Sequence, residues 1–333
     1  MKKLQAAVGL IVFAALTLSG CIQKKAVTSS VMPSRKAIKI GYAQVGHESA
    51  WREANTKSFK DTFTKENGYE LTFVDADGSQ AAQISAVRDF IRQNVDYIVI
   101  APVVETGWDE VLKEAKEAAI PVILSDRQME LEDDNLYLCW VGGNFLKEAQ
   151  DGVKWLSSYL ENKNLETEDI NIVNIQGTIG ASAQIGRTQG IMEGVQKHHN
   201  WNLIGQATGD FCVSGGKSAM KKIIREVGIE KINAVFAEND DMALGVIEAI
   251  KEAGKKPGDD IIIISFDACN AAFKKMIDGE INCDCECNPL HGPRVAEIIN
   301  KMESGYSIEK TQYVAEAVFD QSNASVAMPT RLY

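Results

Sequence analysis

The stretch AIKIGYAQVGHESAWREANTKS, residues 37–58, guides the interpretation of the whole chain, because its pattern changes from strand to helix. Apolar residues alternate between Ile38 and Tyr42, as in a short buried strand, and small and apolar residues recur at helical spacing from Trp51 onwards. A turn around Gly46 joins the two. The loop would follow the carboxyl end of the strand, where open α/β sheets hold their ligands. Trp51, in the first helical turn, can therefore face a crevice instead of the core.

Strand-like and helix-like runs alternate through the rest of the chain. The predicted strands cover residues 71–74, 97–101, 121–125, 136–141, 170–175, 202–206, 234–237, 261–266 and 280–287, with a further strand near Tyr313. Continuous apolar strands suit a sheet covered on both faces, and the helical runs supply the crossovers that parallel strands require. The alternation starts afresh after Gly142 and Gly143. We therefore predict an α/β protein with two doubly wound parallel sheets and a hinge at the glycine pair.

The composition is that of a globular protein long enough for two domains. The chain has 333 residues, of which 45% are hydrophobic and 24% are charged, and its net charge is −11. Nucleic-acid binding usually needs a basic stripe, and the sequence contains only short clusters such as Lys221, Lys222 and Arg225. We therefore expect no nucleic-acid partner.

The first residues have the pattern of an export signal. Two lysines precede an apolar run, residues 6–18, that is too short to span a bilayer comfortably. Residues 18–21, LSGC, match the lipobox of bacterial lipoproteins, which predicts a signal peptide over 1–20 and lipidation of Cys21. The alternative is an ordinary cleaved signal with an incidental cysteine. Residues 21–36 lack periodicity and are interpreted as a flexible tether.

Signatures of common enzyme classes are missing. The turn GYAQVG after the first strand has neither the G-x-G-x-x-G spacing of dinucleotide sites nor the Lys and Ser or Thr of a phosphate-binding loop. No G-x-S-x-G elbow occurs. The histidines at 47, 198, 199 and 291 lack partners at metal or catalytic-triad spacing, and we interpret them as surface residues. We expect a non-catalytic protein without a cofactor.

The run CDCEC at 283–287 invites a metal-site interpretation. On a strand, Cys283, Cys285 and Cys287 face one side, and neighbours in such a row lie roughly 6.6 Å apart. Thiolates that share a zinc ion, each at about 2.3 Å from it, must approach one another to about 4 Å. A straight strand therefore fits a zinc site poorly, and we predict no metal site and three small apolar side chains. Disulfide pairing in an exported chain stays open.

Six segments carry a resemblance to a known family. They are GYAQVGHESAWREANTKS (41–58), APVVETGW (101–108), IQGTIGASAQIGRTQG (175–190), GDF (209–211), NDDMALGVIEAIKEAG (239–254) and SFDA (265–268). Together they resemble the periplasmic sugar-binding proteins of ABC importers, ribose-binding type, and in particular the galactofuranose-binding members. The resemblance extends over nearly all of residues 37–320. The chain departs from the family at its lipobox and at several cysteines that replace aliphatic residues.

The resemblance implies the type I periplasmic binding protein fold, in which two α/β domains joined by three strands close on one sugar. By it, the first domain comprises residues 37–141 and 289–312, and the second comprises 144–286 and 314–333. It also implies a monomer that passes a monosaccharide, galactofuranose-like or a related aldose, to an ABC permease. With Cys21 lipidated, the protein would be anchored to the outer face of the cytoplasmic membrane, as in Gram-positive bacteria.

A sensor is the alternative function. A lipid-anchored protein of this kind can present its sugar-bound form to a membrane receptor or histidine kinase. Both functions use the same cleft, so the sequence does not separate them. The cytoplasmic repressors that share this fold are excluded, because an export signal occupies the place of their DNA-binding segment.

The resemblance also implies which residues hold the sugar, whose hydroxyl groups need carboxylates and guanidinium or amide groups in fixed planes. Asp126 and Arg127 directly follow an apolar strand and match the family's Asp-Arg pair; a surface ion pair is the alternative. Arg187 matches the second binding arginine. Asn239 and Asp267 each close a strand, and each is also a candidate N-cap of the following helix.

Aromatic residues complete the predicted site. Trp51 and Phe211, one from each domain, match a pair that stacks on the sugar ring, and aromatic packing adds about 0.5–1.5 kcal/mol beyond burial. A single Trp or Phe is otherwise more often a core residue. Arg52 belongs to the same matched segment as Trp51, and Trp108 is expected at the cleft edge. Glu286, on the strand face opposite the thiols, is a predicted ligand contact near the hinge.

Overall fold

The computed structural model of the protein describes residues 36–333. The predicted signal peptide, Cys21 and residues 21–35 of the predicted tether lie outside the described residues. Within residues 36–333, none of the helices combines the length and the apolar character that a membrane crossing requires.

Two six-stranded sheets organise the described chain. The strands are β1 Ile38–Gln44, β2 Tyr69–Asp75, β3 Tyr97–Ile100, β4 Val122–Ser125, β5 Cys139–Gly142, β6 Ile170–Gln176, β7 Trp201–Thr208, β8 Ala234–Ala237, β9 Ile262–Asp267, β10 Cys283–Glu286, β11 Thr311–Tyr313 and β12 Val318–Asp320. One sheet has the order β2-β1-β3-β4-β5-β11 and is parallel throughout. The other has the order β7-β6-β8-β9-β10-β12, and its last pair is antiparallel. The predicted fold class is confirmed.

Helices cover both faces of each sheet. They are α1 Ala50–Thr62, α2 Gln80–Arg92, α3 Asp109–Glu117, α4 Phe145–Asn162, α5 Ser182–Lys197, α6 Val213–Val227, α7 Asp240–Glu252, α8 Asn270–Ile277, α9 His291–Glu303 and α10 Ala324–Ala327. Helices α1–α3 and α9 pack with the first sheet to form what we name the first lobe, and the others pack with the second sheet to form the second lobe.

Strand alternation places the core on both sides of each sheet. In β3, Ile98 and Ile100 pack toward α2 and α3, whereas Val99 packs toward α1 and α9. Successive side chains of a strand point to opposite faces, so a strand buried on both faces must be apolar at every position. The continuous apolar runs in the sequence have this cause.

The chain passes between the lobes three times, and we name these passages the crossing segments. They are residues 143–144 after β5, 287–290 after β10, and 314–317 after β11. Three connections that lie between two separately packed sheets allow the lobes to move as bodies.

The start of α1 is fixed by Ser49. This residue is the N-cap, and its hydroxyl oxygen accepts a hydrogen bond of 3.2 Å from the backbone N–H of Arg52. The helix therefore begins directly after the loop that follows β1. Trp51 and Arg52 occupy its first turn, at the carboxyl edge of the first sheet.

Gly41 in β1 tests how tightly the first lobe is packed. A Cβ atom at this position would lie 2.4 Å from the Phe90 ring. We expect Gly41→Ala to lower the free energy of unfolding by about 1–3 kcal/mol, because the added methyl group overpacks the core. Chemical denaturation measures the change. In a Phe90→Leu background the same alanine should be less destabilising, and strictly additive effects would contradict this packing.

Candidate functional site

Side chains from both lobes surround one cavity at the carboxyl ends of the parallel strands. The empty space between these side chains, counted with the solvent-open part, is about 280 Å³. The lining residues are Glu48, Ser49, Trp51, Arg52, Asp126, Arg127, Phe145, Ala183, Arg187, Phe211, Asn239, Asp267 and Cys287. Every residue predicted for the site is among them except Glu286. The cavity therefore brings charged and aromatic groups of both lobes together.

The charged groups of the first lobe form one buried network. Arg52 Nη2 donates to Asp126 Oδ2 at 2.5 Å and to Glu48 Oε1 at 3.0 Å. Arg127 Nη2 donates to the same Glu48 oxygen at 2.6 Å. Burial alone would lower the pKa of Arg52, but the Asp126 and Glu48 carboxylates outweigh it and hold that pKa above its ordinary value. Two guanidinium groups thus face two carboxylates.

The second lobe pairs its charges in the same way. Arg187 Nε donates to Glu148 Oε2 at 2.9 Å, and Arg187 Nη2 donates to Asp267 Oδ1 at 3.1 Å. Its Nη1 donates to the backbone oxygen of Glu238. Burial raises the pKa values of Glu148 and Asp267, and the Arg187 charge opposes the rise in both. This arginine is therefore held by the lobe itself.

Backbone conformation at the strand ends aims these side chains. Asp126 after β4 has φ +67°, Asp267 at the end of β9 has φ +109°, and Phe211 after β7 has φ +59°. Residues other than glycine seldom adopt positive φ, and each instance costs of order 1–3 kcal/mol. Three site residues share this strain, which points to a functional constraint at the cavity.

Asn239 and Asp267 differ in the capping role that the sequence suggested for both. Asn239 is the N-cap of α7: its Oδ1 accepts from the Met242 N–H at 2.9 Å, while its Nδ2 donates to Phe211 O at 3.1 Å. Asp267 does not cap α8, whose N-cap is Cys269. The alternative of a surface ion pair for Asp126 and its neighbour Arg127 is also wrong, because both are buried.

The two predicted aromatic residues lie at the cavity from opposite lobes. Trp51 Nε1 donates to Cys287 O at 2.6 Å, which fixes the indole against the second crossing segment. The Phe211 ring lies 5.2 Å from Arg127 Cζ, across the interface between the lobes. A Cβ atom on Gly177 would lie 1.9 Å from this ring, so only glycine leaves room for Phe211. Both rings are held in place before a ligand arrives.

The structure places Glu286 away from the cavity, and this prediction is corrected. Its Oε1 accepts from Arg331 Nη1 at 2.8 Å and from the Tyr333 hydroxyl at 2.7 Å, and its Oε2 accepts from Ala317 N at 3.0 Å. Strand β10 ends at Glu286. The alternation that predicted which way its side chains point therefore stops at this residue. Cys287 lines the cavity instead.

The predictions for Trp108 and His291 are also wrong. Trp108 does not border the cleft: it is fully buried in the first lobe, and its Nε1 donates to Val104 O at 2.8 Å. His291 is not a surface residue. It is completely buried, its Nδ1 lies 3.0 Å from Ser125 Oγ, and its ring meets the Trp51 ring edge-on at 5.8 Å. His291 therefore supports the strand end that carries Asp126.

Sequence reasoning also missed Glu48, the carboxylate that joins Arg52 and Arg127. A signal was present, since Glu48 precedes Arg52 by four residues and lies within the matched segment 41–58. Its position before the helix made it look like an ordinary loop residue. Ser49, Phe145 and Ala183 were missed as well, and nothing in their types or spacing marks them.

Comparisons with known proteins show what the chain is similar to. A family model described as a periplasmic binding protein domain matches residues 40–285. The chain is 41% identical to the galactofuranose-binding protein YtfQ of Escherichia coli K12 over 283 residues, which is 84% of this chain and 87% of that protein.

Two solved structures are similar over nearly their whole length. A Mycobacterium smegmatis protein in complex with β-D-fucofuranose has a TM-score of 0.85 and 43% identity, covering 89% of this chain and 96% of that chain. The binding protein of the arabinose ABC transporter from Shewanella sp. ANA-3, bound to α- and β-L-arabinofuranose, has a TM-score of 0.83 and 38% identity, covering 88% and 95%.

The burial of His291 predicts a pH-dependent stability. Burial lowers its pKa to about 4 from an ordinary 6.5; Asp126 opposes this shift, and Arg52 adds to it. The folded protein keeps the ring neutral while the unfolded chain protonates it below pH 6.5. This stabilisation is present above pH 6.5 and is lost as pH falls toward 4, by about 3 kcal/mol in all.

The measurement compares the wild type with His291→Gln by urea denaturation from pH 7.5 to pH 4. The contributions of other titrating groups cancel in the difference between the two proteins. The excess free energy of unfolding of the wild type over His291→Gln should therefore shrink steadily as pH falls. The exposed His199→Gln serves as the control and should not change the slope. Parallel curves for the wild type and His291→Gln would rule out this role.

Proposed function

Because the chain belongs to the periplasmic binding protein family and has its two-domain type I fold, we propose that it captures an uncharged monosaccharide between its lobes and delivers it to an ABC importer. The prediction that it is not an enzyme is confirmed, since its relatives are binding and transport proteins. The sugar we propose is galactofuranose or a related aldose.

The pairing of charges within the cavity carries the proposal of an uncharged ligand. Each guanidinium already faces a carboxylate of its own lobe, so an ionised ligand would find no unpaired opposite charge. Hydroxyl groups, which both donate and accept, fit between such pairs. Arg52 Nη1 is buried without a hydrogen-bond partner and can donate to a sugar oxygen. Asp126 and Asp267 supply acceptors from opposite lobes.

Ring form is the second part of the proposal. Trp51 and Phe211 line the cavity and can pack on the C–H faces of one small ring. The names of similar proteins mention galactofuranose, β-D-fucofuranose and L-arabinofuranose, which are all five-membered ring forms. We therefore propose a preference for furanoses.

Closure around the sugar follows from the contacts between the lobes. No ion pair among residues 36–333 joins one lobe to the other; besides contacts of Trp51 and Phe211, the lobes are joined by single hydrogen bonds such as Ala50 N to Asp241 Oδ2 at 2.9 Å and Gln128 N to Ser182 Oγ at 2.9 Å. Each such bond contributes only about 1 kcal/mol. We propose that the domains predicted from the sequence open by breaking these bonds, and that a bound sugar keeps them closed.

The proposed location is the outer face of the cytoplasmic membrane, with a lipid on Cys21 and residues 21–36 as a tether. The pattern LSGC after an apolar run supports it. A sensor that presents the sugar to a receptor is the second function consistent with the cavity. Deletion of the gene separates the two: loss of labelled-sugar uptake indicates an importer, and loss of sugar-induced transcription alone indicates a sensor.

Asp126→Ala and Asp267→Ala test the proposed sugar contacts. Each should lose roughly 1.5–3 kcal/mol of binding free energy, the scale of a hydrogen bond to a charged group. The ligand is first chosen by a thermal-shift screen against D-galactose, D-fucose and L-arabinose, since a ligand specific for the folded state raises Tm. Affinities are then measured by isothermal titration calorimetry.

Cys285→Val is the matched control for these variants. Cys285 is buried in the second lobe but does not line the sugar cavity, so affinity should be unchanged within about twofold, as expected for a swap of similar volume. If both aspartate variants bind like the wild type, the site is misplaced. If no aldose changes Tm, the proposed function is wrong.

Cys21→Ser tests the anchor. Cells fed a labelled fatty acid should label the wild-type protein and retain it in the membrane fraction, because lipidation requires the cysteine thiol. The serine variant should be unlabelled and released. Equal labelling of the two proteins, or release of the wild type, would contradict a lipid anchor at this residue.

A further inference from the structure

Three side chains that could bind a metal ion converge where the crossing segments meet. Glu148 lies in the first turn of α4, after the first crossing segment, while Cys287 and Glu316 belong to the second and third. Their ligand atoms all lie within 4.8 Å of one another. Glu148 and Cys287 are 4% and 2% exposed, and Glu316 is partly buried. Each passage between the lobes thus contributes one group.

One of these groups has an unused oxygen. Glu148 Oε2 accepts from Arg187, whereas Oε1 is buried and no N–H or O–H donor reaches it; the neighbouring Cys287 thiol, a weak donor, is the remaining hydrogen-bonding side chain beside Glu148. A buried carboxylate oxygen without such a donor is unfavourable. It therefore indicates that a further group binds at this oxygen. The free Glu148 oxygen is an observation independent of the clustering of the three side chains.

Gly143 leaves space for that further group. A Cβ atom on Gly143 would lie 2.5 Å from Glu148 Oε1 and 2.4 Å from Glu316 Oε1. The two oxygens therefore point at the same place from different segments. Glycine keeps this place free of a side chain, and a larger residue would fill it.

A second cavity connects this place with solvent. It has an empty volume of about 670 Å³, counted with the solvent-open part, and shares no lining residue with the first cavity. Glu148 and Glu316 line it together with Asp151 and Glu286, whereas Cys287 lines the sugar cavity. Lys147 also lines this outer cavity and pairs with Asp151, and Glu286 pairs with Arg331, so Glu148 and Glu316 are the carboxylates of its lining without a lysine or arginine of the same cavity as partner.

We propose that Glu148, Cys287 and Glu316 bind one zinc ion, with water from the second cavity as the fourth ligand. A thiolate with two carboxylates selects zinc over calcium or magnesium, which take oxygen ligands. The ligand atoms of a tetrahedral zinc ion lie about 3.4–3.6 Å apart. Side-chain rotations that move the three ligand atoms by roughly 1 Å would therefore complete the site. The three negative ligands face the dication, and Arg187 lies beside one of them, Glu148.

This site differs from the one that CDCEC suggests. Cys283 and Cys285 pack in the apolar cluster under α4 and α5, and only Cys287, beyond the end of β10, turns toward the carboxylates. The argument against three thiols on one strand therefore stands, and the other ligands come from distant parts of the sequence.

Titration of the purified, chelator-treated full-length protein with ZnCl₂ tests the site. We expect one zinc ion per chain, bound at least about 100-fold more weakly in Cys287→Ser and Glu316→Gln. Cys283→Ser removes a similarly buried thiol from strand β10, which directly precedes Cys287, and Asp151→Asn removes a carboxylate from the second cavity. Both controls should keep the wild-type affinity within about threefold.

Cobalt gives a second readout that does not depend on the folding of any variant. Co²⁺ bound to the wild type should show thiolate-to-metal charge-transfer absorption, and zinc should displace it. The absence of this band, equal zinc affinity in the wild type and Cys287→Ser, or no zinc uptake would each overturn the proposal. In the last case, Glu148 and Glu316 would be a carboxyl pair that shares a proton.

Discussion

The rest of the cavity depends on the pairing of each buried arginine with carboxylates of its own lobe. Arg52 is held by Asp126 and Glu48, and Arg187 is held by Glu148 and Asp267. Breaking one partner of a buried ion pair costs about 3–5 kcal/mol, because the other charge is left without compensation. If these ion pairs joined one lobe to the other, every opening of the lobes would break several of them, at about 3–5 kcal/mol each. Pairing within lobes leaves the interface free to open.

The same pairs hold the backbone in its unfavourable conformation at the strand ends. Asp126 and Asp267 have positive φ values, which direct their carboxylates toward the arginines at the carboxyl edge of each sheet. Strain of this kind persists only where surrounding contacts outweigh it. A parallel sheet supplies the common edge, and the ion pairs and His291 behind Asp126 supply the contacts.

Glu148 links the two sites that the structure suggests. One oxygen holds Arg187 at the sugar cavity, and the other faces Glu316 beside Gly143, where the crossing segments meet. Trp51 makes a similar connection, because its indole donates to the backbone of Cys287. Ligand contacts and inter-lobe connections are therefore adjacent in space, which is the arrangement that couples binding to hinge motion.

The sequence by itself determined the two doubly wound sheets, because strands buried on both faces are apolar at most positions, and it located the site residues at or just beyond the ends of strands β4, β8 and β9. Parallel strands bring those residues to one edge whatever else the chain does. Side chains at or beyond the end of β10 were different: Glu286, Cys287 and His291 could not be placed, since periodicity stops where the strand stops. Only the tertiary structure decided that Glu48 joins two arginines and that three crossing segments meet, because those contacts join residues that no local pattern relates.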